Sequence, residues 1–161
     1  MGQLYYKYIL SPIGQLKLVA SHEKLFAILW DNERPNRVKL AEMQEAGNNL
    51  LLLQTESQLD EYFRGGRSQF DIPMQMKGTA FQQAVWHTLM KIPYGITRTY
   101  KEIAEAVGRP YAVRAVGTAI GRNPISIIVP CHRVIASNGG LAGFAGGLDR
   151  KQLLLHLEKG R

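Results

Sequence analysis

The chain contains one cysteine, Cys131, followed at once by a histidine in Pro130-Cys131-His132-Arg133-Val134. A lone thiol cannot close an internal disulfide or assemble a multi-thiolate zinc site, which leaves an inert buried group, a nucleophile or an intermolecular crosslink. A cysteine nucleophile reacts as the thiolate, and a free thiol titrates above neutrality, so a base or positive surroundings must accompany it. His132 is the nearest base, but adjacent side chains on an extended segment point apart, so contact would run through a water or a local turn. Glu158 is the best candidate to orient the imidazole. It is one of only four acidic residues after position 75, in a leucine-rich stretch with Leu153, Leu154, Leu155 and Leu157. A carboxylate near the C-terminal end of a helix opposes the helix dipole, and that mismatch points to a local partner. A Cys131/His132/Glu158 relay would follow the logic of a hydrolase triad, whereas the plain alternative is a solvated glutamate.

These groups need elements to hold them. The apolar run Ile125-Ser126-Ile127-Ile128-Val129 predicts a β-branched strand that ends at Pro130 and displays Cys131 on a rigid element open to substrate. Thr79-Ala80-Phe81-Gln82 is a capping box, with Phe81, Val85 and Leu89 as the apolar stripe behind it. Thr99-Tyr100-Lys101-Glu102 is a second, opening a helix with Ile103, Ala104 and Val107 inward. Pro110 is placed to start a further helix that runs through Arg114 to Ile120 and stops at Gly121. Two short helices about Gly108-Arg109-Pro110 match a helix-turn-helix. The second carries small residues around Arg114 in place of several long base-reading side chains, which suits close approach to a groove or insertion into the base stack.

The first half reads differently. Residues 4–10, 16–20 and 25–30 are short apolar and aromatic runs separated by turn sequences, which favours an antiparallel meander. Residues 50–63 read as a helix, with Leu53, Leu59 and Phe63 on one face and Gly65-Gly66 as its stop. Asp71-Ile72-Pro73-Met74 reads as an extended linker.

With 161 residues, 45% of them hydrophobic, the chain can bury one good core or two small ones. No apolar run approaches membrane-spanning length, and Met1-Gly2-Gln3-Leu4-Tyr5-Tyr6-Lys7 lacks a secretory stretch, so a cytoplasmic, reducing setting is expected. The charge is segregated. Residues 1–75 hold 8 Lys+Arg against 9 Asp+Glu, and residues 76–161 hold 12 against 4, a net +8. A basic half that also carries the cysteine implies a polyanionic partner, and nucleic acid is favoured over a generally basic surface.

Several segments occur in one order that is similar to a known family: Thr99-Tyr100 through Ala104, Val113-Arg114-Ala115-Val116-Gly117, Asn123-Pro124, the Cys131 pentad, and Gly143-Phe144-Ala145-Gly146-Gly147-Leu148. Over residues 79–161, and more loosely over 1–75, the chain resembles the O6-alkylguanine-DNA alkyltransferases, or methylated-DNA–protein-cysteine methyltransferases. The resemblance implies an α+β protein. Its first domain, residues 1–75, would be a structural unit with a small antiparallel sheet and a helix, ribonuclease-H-like. Its second, residues 76–161, would be mainly helical and winged-helix-like, and would contain the helix-turn-helix and the alkyl acceptor.

It further implies that a guanine is flipped out of duplex DNA and that Cys131 attacks its alkyl carbon, once per molecule. His132 would deprotonate Cys131 through a water, Glu158 would hold His132, Asn123 would pin the pocket, and Tyr100 would lie against the base. Arg114 would fill the vacated stack, and Lys101, Arg109, Ser137 and Gln82 would contact DNA. The carbonyls of Cys131 and Val134 and the N–H of Ala145 would read the guanine edge. Phe144 would stack where some members have tyrosine. No cofactor is implied. Some members carry a zinc site built from cysteines, and this chain has no second cysteine, so no metal is expected. The expected partner is double-stranded DNA containing alkylated guanine, met by a monomer with no membrane involvement. Two other readings stand beside this one: an alkylated-DNA-binding or regulatory module, and a cysteine hydrolase using Cys131 and His132.

Overall fold

A computed structural model describes residues 2–160, which divide into two compact units between Met76 and Lys77. In the first unit, β1 (Leu4–Ser11), β2 (Gly14–Ala20) and β3 (Leu25–Trp30) form the antiparallel meander that the turn sequences call for. A fourth strand, β4 (Met43–Glu45), adds parallel to β1 and gives the order β3-β2-β1-β4. Three residues with two polar side chains carry no periodic signal, so only the neighbouring edge of β1 makes them a strand.

The helix α1 (Leu50–Phe63) begins where Asn49 accepts the Leu52 N–H at 3.0 Å, and it packs on β1 and β2. Its buried face is Leu51, Leu52, Thr55, Gln58, Leu59 and Tyr62. That corrects the expected face: Leu53 is exposed and lines, with Phe63, Leu10 and Pro12, a surface groove of about 320 Å³. The segment before the second unit is more than a linker, because Leu25 bonds on both sides of Met74, to the carbonyl of Pro73 and the N–H of Gln75.

The second unit is built on helices. In α2 (Ala80–Leu89) the capping box is closed on both sides, Thr79 N–H to Gln82 Oε1 at 2.9 Å and Gln82 N–H to Thr79 Oγ1 at 3.1 Å. Gly78 precedes it because a Cβ there would lie 2.6 Å from the Trp86 ring. Val85, Trp86 and Leu89 form the buried face, and Trp86 Nε1 donates to the Ala119 carbonyl at 2.8 Å. The short strand β5 (Arg98–Thr99) runs into α3 (Tyr100–Ala106), whose capping box between Thr99 and Glu102 is likewise complete. Gly108, at φ +77°, turns the chain toward α4 (Val113–Gly121). Pro110 does not begin that helix. It falls in a turn closed by Ala112 N–H to the Arg109 carbonyl, and the helix starts three residues later.

Beyond α4 lie a 3-10 turn (Cys131–Arg133), β6 (Val134–Ile135), which pairs in parallel with β5, and α5 (Leu148–Lys159). On α5 the buried stripe is Lys151, Leu154 and Glu158, while Leu153 is half exposed. Two charged residues therefore face inward beside a single leucine of this leucine-rich helix. No helix among the described residues is long and apolar enough to cross a membrane.

Candidate active site

Residues 125–129 are not a strand. Ile127 takes a positive φ of 76°, Val129 N–H bonds back to the Ile125 carbonyl at 3.0 Å, and the only pairing is an isolated Ser126–Val129 bridge. The β-branched composition satisfies a strand pattern, but a buried asparagine supplies the hydrogen bonds that a ladder would have supplied. Asn123 Oδ1 accepts the Ile125 N–H at 3.0 Å, and its Nδ2 donates to the Val129 carbonyl at 2.9 Å. The same carbonyl accepts the Cys131 N–H at 2.8 Å, so Asn123 is one hydrogen bond removed from the backbone of the cysteine.

Cys131 opens the 3-10 turn and is only 5% exposed, which corrects the expectation of a thiol displayed on a strand end. The turn also removes the objection that adjacent side chains diverge, since the segment is not extended. His132 is fully buried, and its Nε2 meets Glu158 Oε2 at 2.7 Å. A carboxylate accepts, so Nε2 carries the proton in the neutral ring and Nδ1 keeps its lone pair. Nδ1 is buried with no hydrogen-bond partner among the described residues. Burial holds the imidazole below its ordinary value of 6.5 despite the Glu158 contact, so the ring is neutral and able to take a proton near pH 7.

Glu158 is saturated. Besides His132 it accepts from Arg133 Nε at 2.8 Å and Nη2 at 3.0 Å, and from the Gly95 N–H at 3.3 Å. Arg133 also donates Nη1 to the Ile92 carbonyl at 2.7 Å. Sequence reasoning passed over Arg133 because an arginine in a basic half reads as surface charge, and its only signal was membership of the pentad. Lys151 was passed over for the same reason. It is 1% exposed and donates Nζ to the Val134 carbonyl at 2.6 Å and the Ala142 carbonyl at 3.3 Å. Its ammonium lies 5.9 Å from the centre of the Tyr100 ring, and burial lowers its pKa while the charge of Cys131 acts in the opposite direction. Tyr100, the first residue of α3, is half-buried; desolvation and then the Cys131 charge raise its phenol, so it stays an O–H donor at neutral pH.

The arrangement brings together a buried thiol, an imidazole with a free lone pair, a carboxylate that orients it, a phenol donor and a buried cation. This set can generate a thiolate and stabilise it.

Family models match both units. Residues 80–160 match the DNA-binding domain of 6-O-methylguanine DNA methyltransferase, and residues 4–76 match the ribonuclease-like domain of the same protein. The chain belongs to the 6-O-methylguanine-DNA methyltransferase family. It is 48% identical over 157 residues to a methylated-DNA–protein-cysteine methyltransferase of Methanosarcina barkeri, covering 97% of this chain and 98% of that one. A Mycobacterium tuberculosis protein of the same name is 45% identical over 161 residues, covering 98% and 94%. The crystal structure of Mycobacterium tuberculosis OGT in complex with DNA superposes with a TM-score of 0.90 at 44% identity, over 97% of this chain and 93% of that one.

The remaining residues expected from the sequence differ in their placement. Arg114, Lys101, Arg109 and Ser137 are exposed, Arg114 on α4 and Lys101 on α3, and the Arg109 guanidinium lies 5.9 Å from the centre of the Phe81 ring. Gln82 has its side-chain oxygen committed to the α2 cap. Val134 is buried, with its carbonyl accepting from Lys151, and Phe144 and Ala145 are half-buried in the loop before α5.

Proposed function

We propose that this protein repairs O6-alkylguanine in double-stranded DNA by taking the alkyl group onto Cys131, once per molecule. The observation that carries the reading is the His132–Glu158 contact, which leaves a buried Nδ1 lone pair in the same turn as the cysteine of a methyltransferase-family chain. The thiol proton passes to His132 Nδ1 through a water, and the thiolate attacks the alkyl carbon. An S–C bond forms as the C–O6 bond breaks, and the bonding electrons leave on the guanine. A proton from the site then restores guanine to its neutral form. Tyr100 lies against the base and donates to it. The product is a thioether, which has no easy leaving route, so turnover stops.

The DNA side of the reading rests on the basic second unit and on α4. Its exposed face, Val113, Arg114, Ala115 and Thr118, permits close approach, and Arg114 replaces the flipped nucleotide in the stack. Lys101, Arg109 and Ser137 contact the duplex around it, and the Cys131 and Val134 carbonyls with the Ala145 N–H recognise guanine. Residues 76–161 form the DNA-binding and acceptor domain, residues 1–75 its structural support, and the protein acts as a monomer in the cytoplasm without a cofactor.

The deciding measurement is intact protein mass after incubation with duplex DNA carrying O6-methylguanine. Alkyl transfer adds one methyl group per protein. A hydrolase would process substrate repeatedly and leave no lasting mass, and a binding module would leave both partners unchanged.

A further inference from the structure

The buried relay contains a group that the transfer reading does not use. Arg133 is 6% exposed, yet its guanidinium forms a two-pronged pair with Glu158, at 2.8 and 3.0 Å, and spends its third nitrogen on the Ile92 carbonyl at 2.7 Å. The Tyr94 ring lies 5.7 Å from the guanidinium carbon. Both charged side chains are nearly sealed from solvent, and Glu158 accepts from Arg133 and His132 through the same oxygen, Oε2.

Charge counting gives the consequence. A buried carboxylate facing only an imidazole draws a proton onto it, because the ion pair is the least costly way to keep the carboxylate ionised. With Arg133 in place the carboxylate is already neutralised, and His132 has no counter-charge to supply. We propose that Arg133 is a positioning residue that neutralises Glu158 and thereby keeps His132 uncharged, with its Nδ1 lone pair available to Cys131. The guanidinium fork suits this task better than an ammonium, since it saturates both oxygens while leaving Oε2 room for His132. The consequence for the reaction rests on the alkyl-transfer reading above, while the effect on His132 does not.

Burial does most to hold the imidazole uncharged, and the charged groups around it act beside that effect. Glu158 on α5 favours its protonation; Arg133 on the same turn and Lys151 on α5 oppose it, and Cys131 is its neighbour in the turn. Tyr100 on α3 feels the charge of Cys131. Removing Arg133 withdraws a buried cation from this set, which raises the proton affinity of the whole Cys131/His132 couple.

The test is nitrogen-15 NMR titration of His132 in the DNA-free full chain, its signal assigned by difference from His132→Gln, together with the pH profile of methyl transfer. In Arg133→Met, His132 should take up a proton at a pH higher by about one unit or more. The acid limb of the transfer rate should move up by the same amount, so that activity lost at neutral pH returns in alkali. Arg133→Lys should keep both midpoints near wild type, and Arg133→Met/Glu158→Gln, which restores a net charge of zero, should move them back. Arg133→Gln keeps an N–H donor without the charge and serves if the methionine variant does not fold. A His132 midpoint that overlays wild type in the neutral variants, with transfer reduced equally at every pH, would reduce Arg133 to a packing role. If the wild-type chain transferred no methyl at all, the alkyl-transfer reading would fail, and the His132 midpoints would still decide the role of Arg133.

Discussion

Lys151 Nζ donates to the Val134 carbonyl at 2.6 Å from a position 1% exposed, with no carboxylate paired to it among the described salt bridges. A buried ammonium held only by carbonyls is costly, and the negative charge that it senses is that of Cys131. Lys151→Met keeps the volume and removes the cation. The rate of thiol alkylation by a small electrophile, followed against pH, should then reach half-maximum at a higher pH than in wild type. Overlaid profiles would exclude Lys151 from thiolate stabilisation.

His132 predicts how stability depends on pH. Burial lowers its folded pKa below 6.5, so as pH falls through 6.5 the unfolded chain takes up a proton that the native chain refuses. Stability is therefore full above that value and declines below it, until the folded group also titrates. The slope from this residue reaches at most about 1.4 kcal/mol per pH unit. Urea midpoints between pH 8 and pH 5, compared with those of His132→Gln, measure it. A variant that loses stability as steeply as wild type would place the source elsewhere.

Asn123 carries the backbone of the turn before Cys131. Asn123→Ala removes two buried hydrogen bonds and leaves the Ile125 N–H unpaired, at a cost of roughly 3 kcal/mol. Because the turn holds Ile127 at a positive φ, its release should also lower transfer well beyond the loss of folded protein. Chemical denaturation and transfer rates per folded molecule separate the two effects.

Cys131→Ser should abolish methyl transfer while leaving affinity for methylated duplex close to wild type, since the alcohol is a far weaker nucleophile of similar size. Intact mass and a binding titration on the same preparation check both halves. A methyl group still acquired by the serine variant would move the acceptor to another residue.

Arg114 distinguishes flipping from simple binding. Arg114→Ala should slow repair of saturating duplex by about tenfold or more, a loss of at least ~1.4 kcal/mol in the transition state. Reaction with the free alkylated base, which needs no flipping, should change little. Equal losses on the two substrates would assign Arg114 to the fold or the pocket. A phosphate contact alone would weaken duplex binding modestly and lower the salt slope by about one.

What the sequence determined by itself was local. The caps at Thr79 and Thr99 and the bounds of Leu50–Phe63 follow from side chains that bond within one turn of their own backbone, so neighbouring letters suffice to find them. The reactive pentad and the segregation of charge were equally legible, because chemistry and net charge are properties of residue type. Tertiary structure decided the rest. Residues 125–129 have strand composition, but whether β-branched residues pair in a ladder or wrap around a buried amide depends on Asn123 and on what packs over them. Glu158 was singled out, but its saturation by Arg133 joins groups 25 residues apart, a separation over which no periodicity carries information. Arg133 and Lys151 were overlooked because hydropathy assigns cations to solvent. Only the fold supplies the carboxylate and carbonyls that make burying them tolerable.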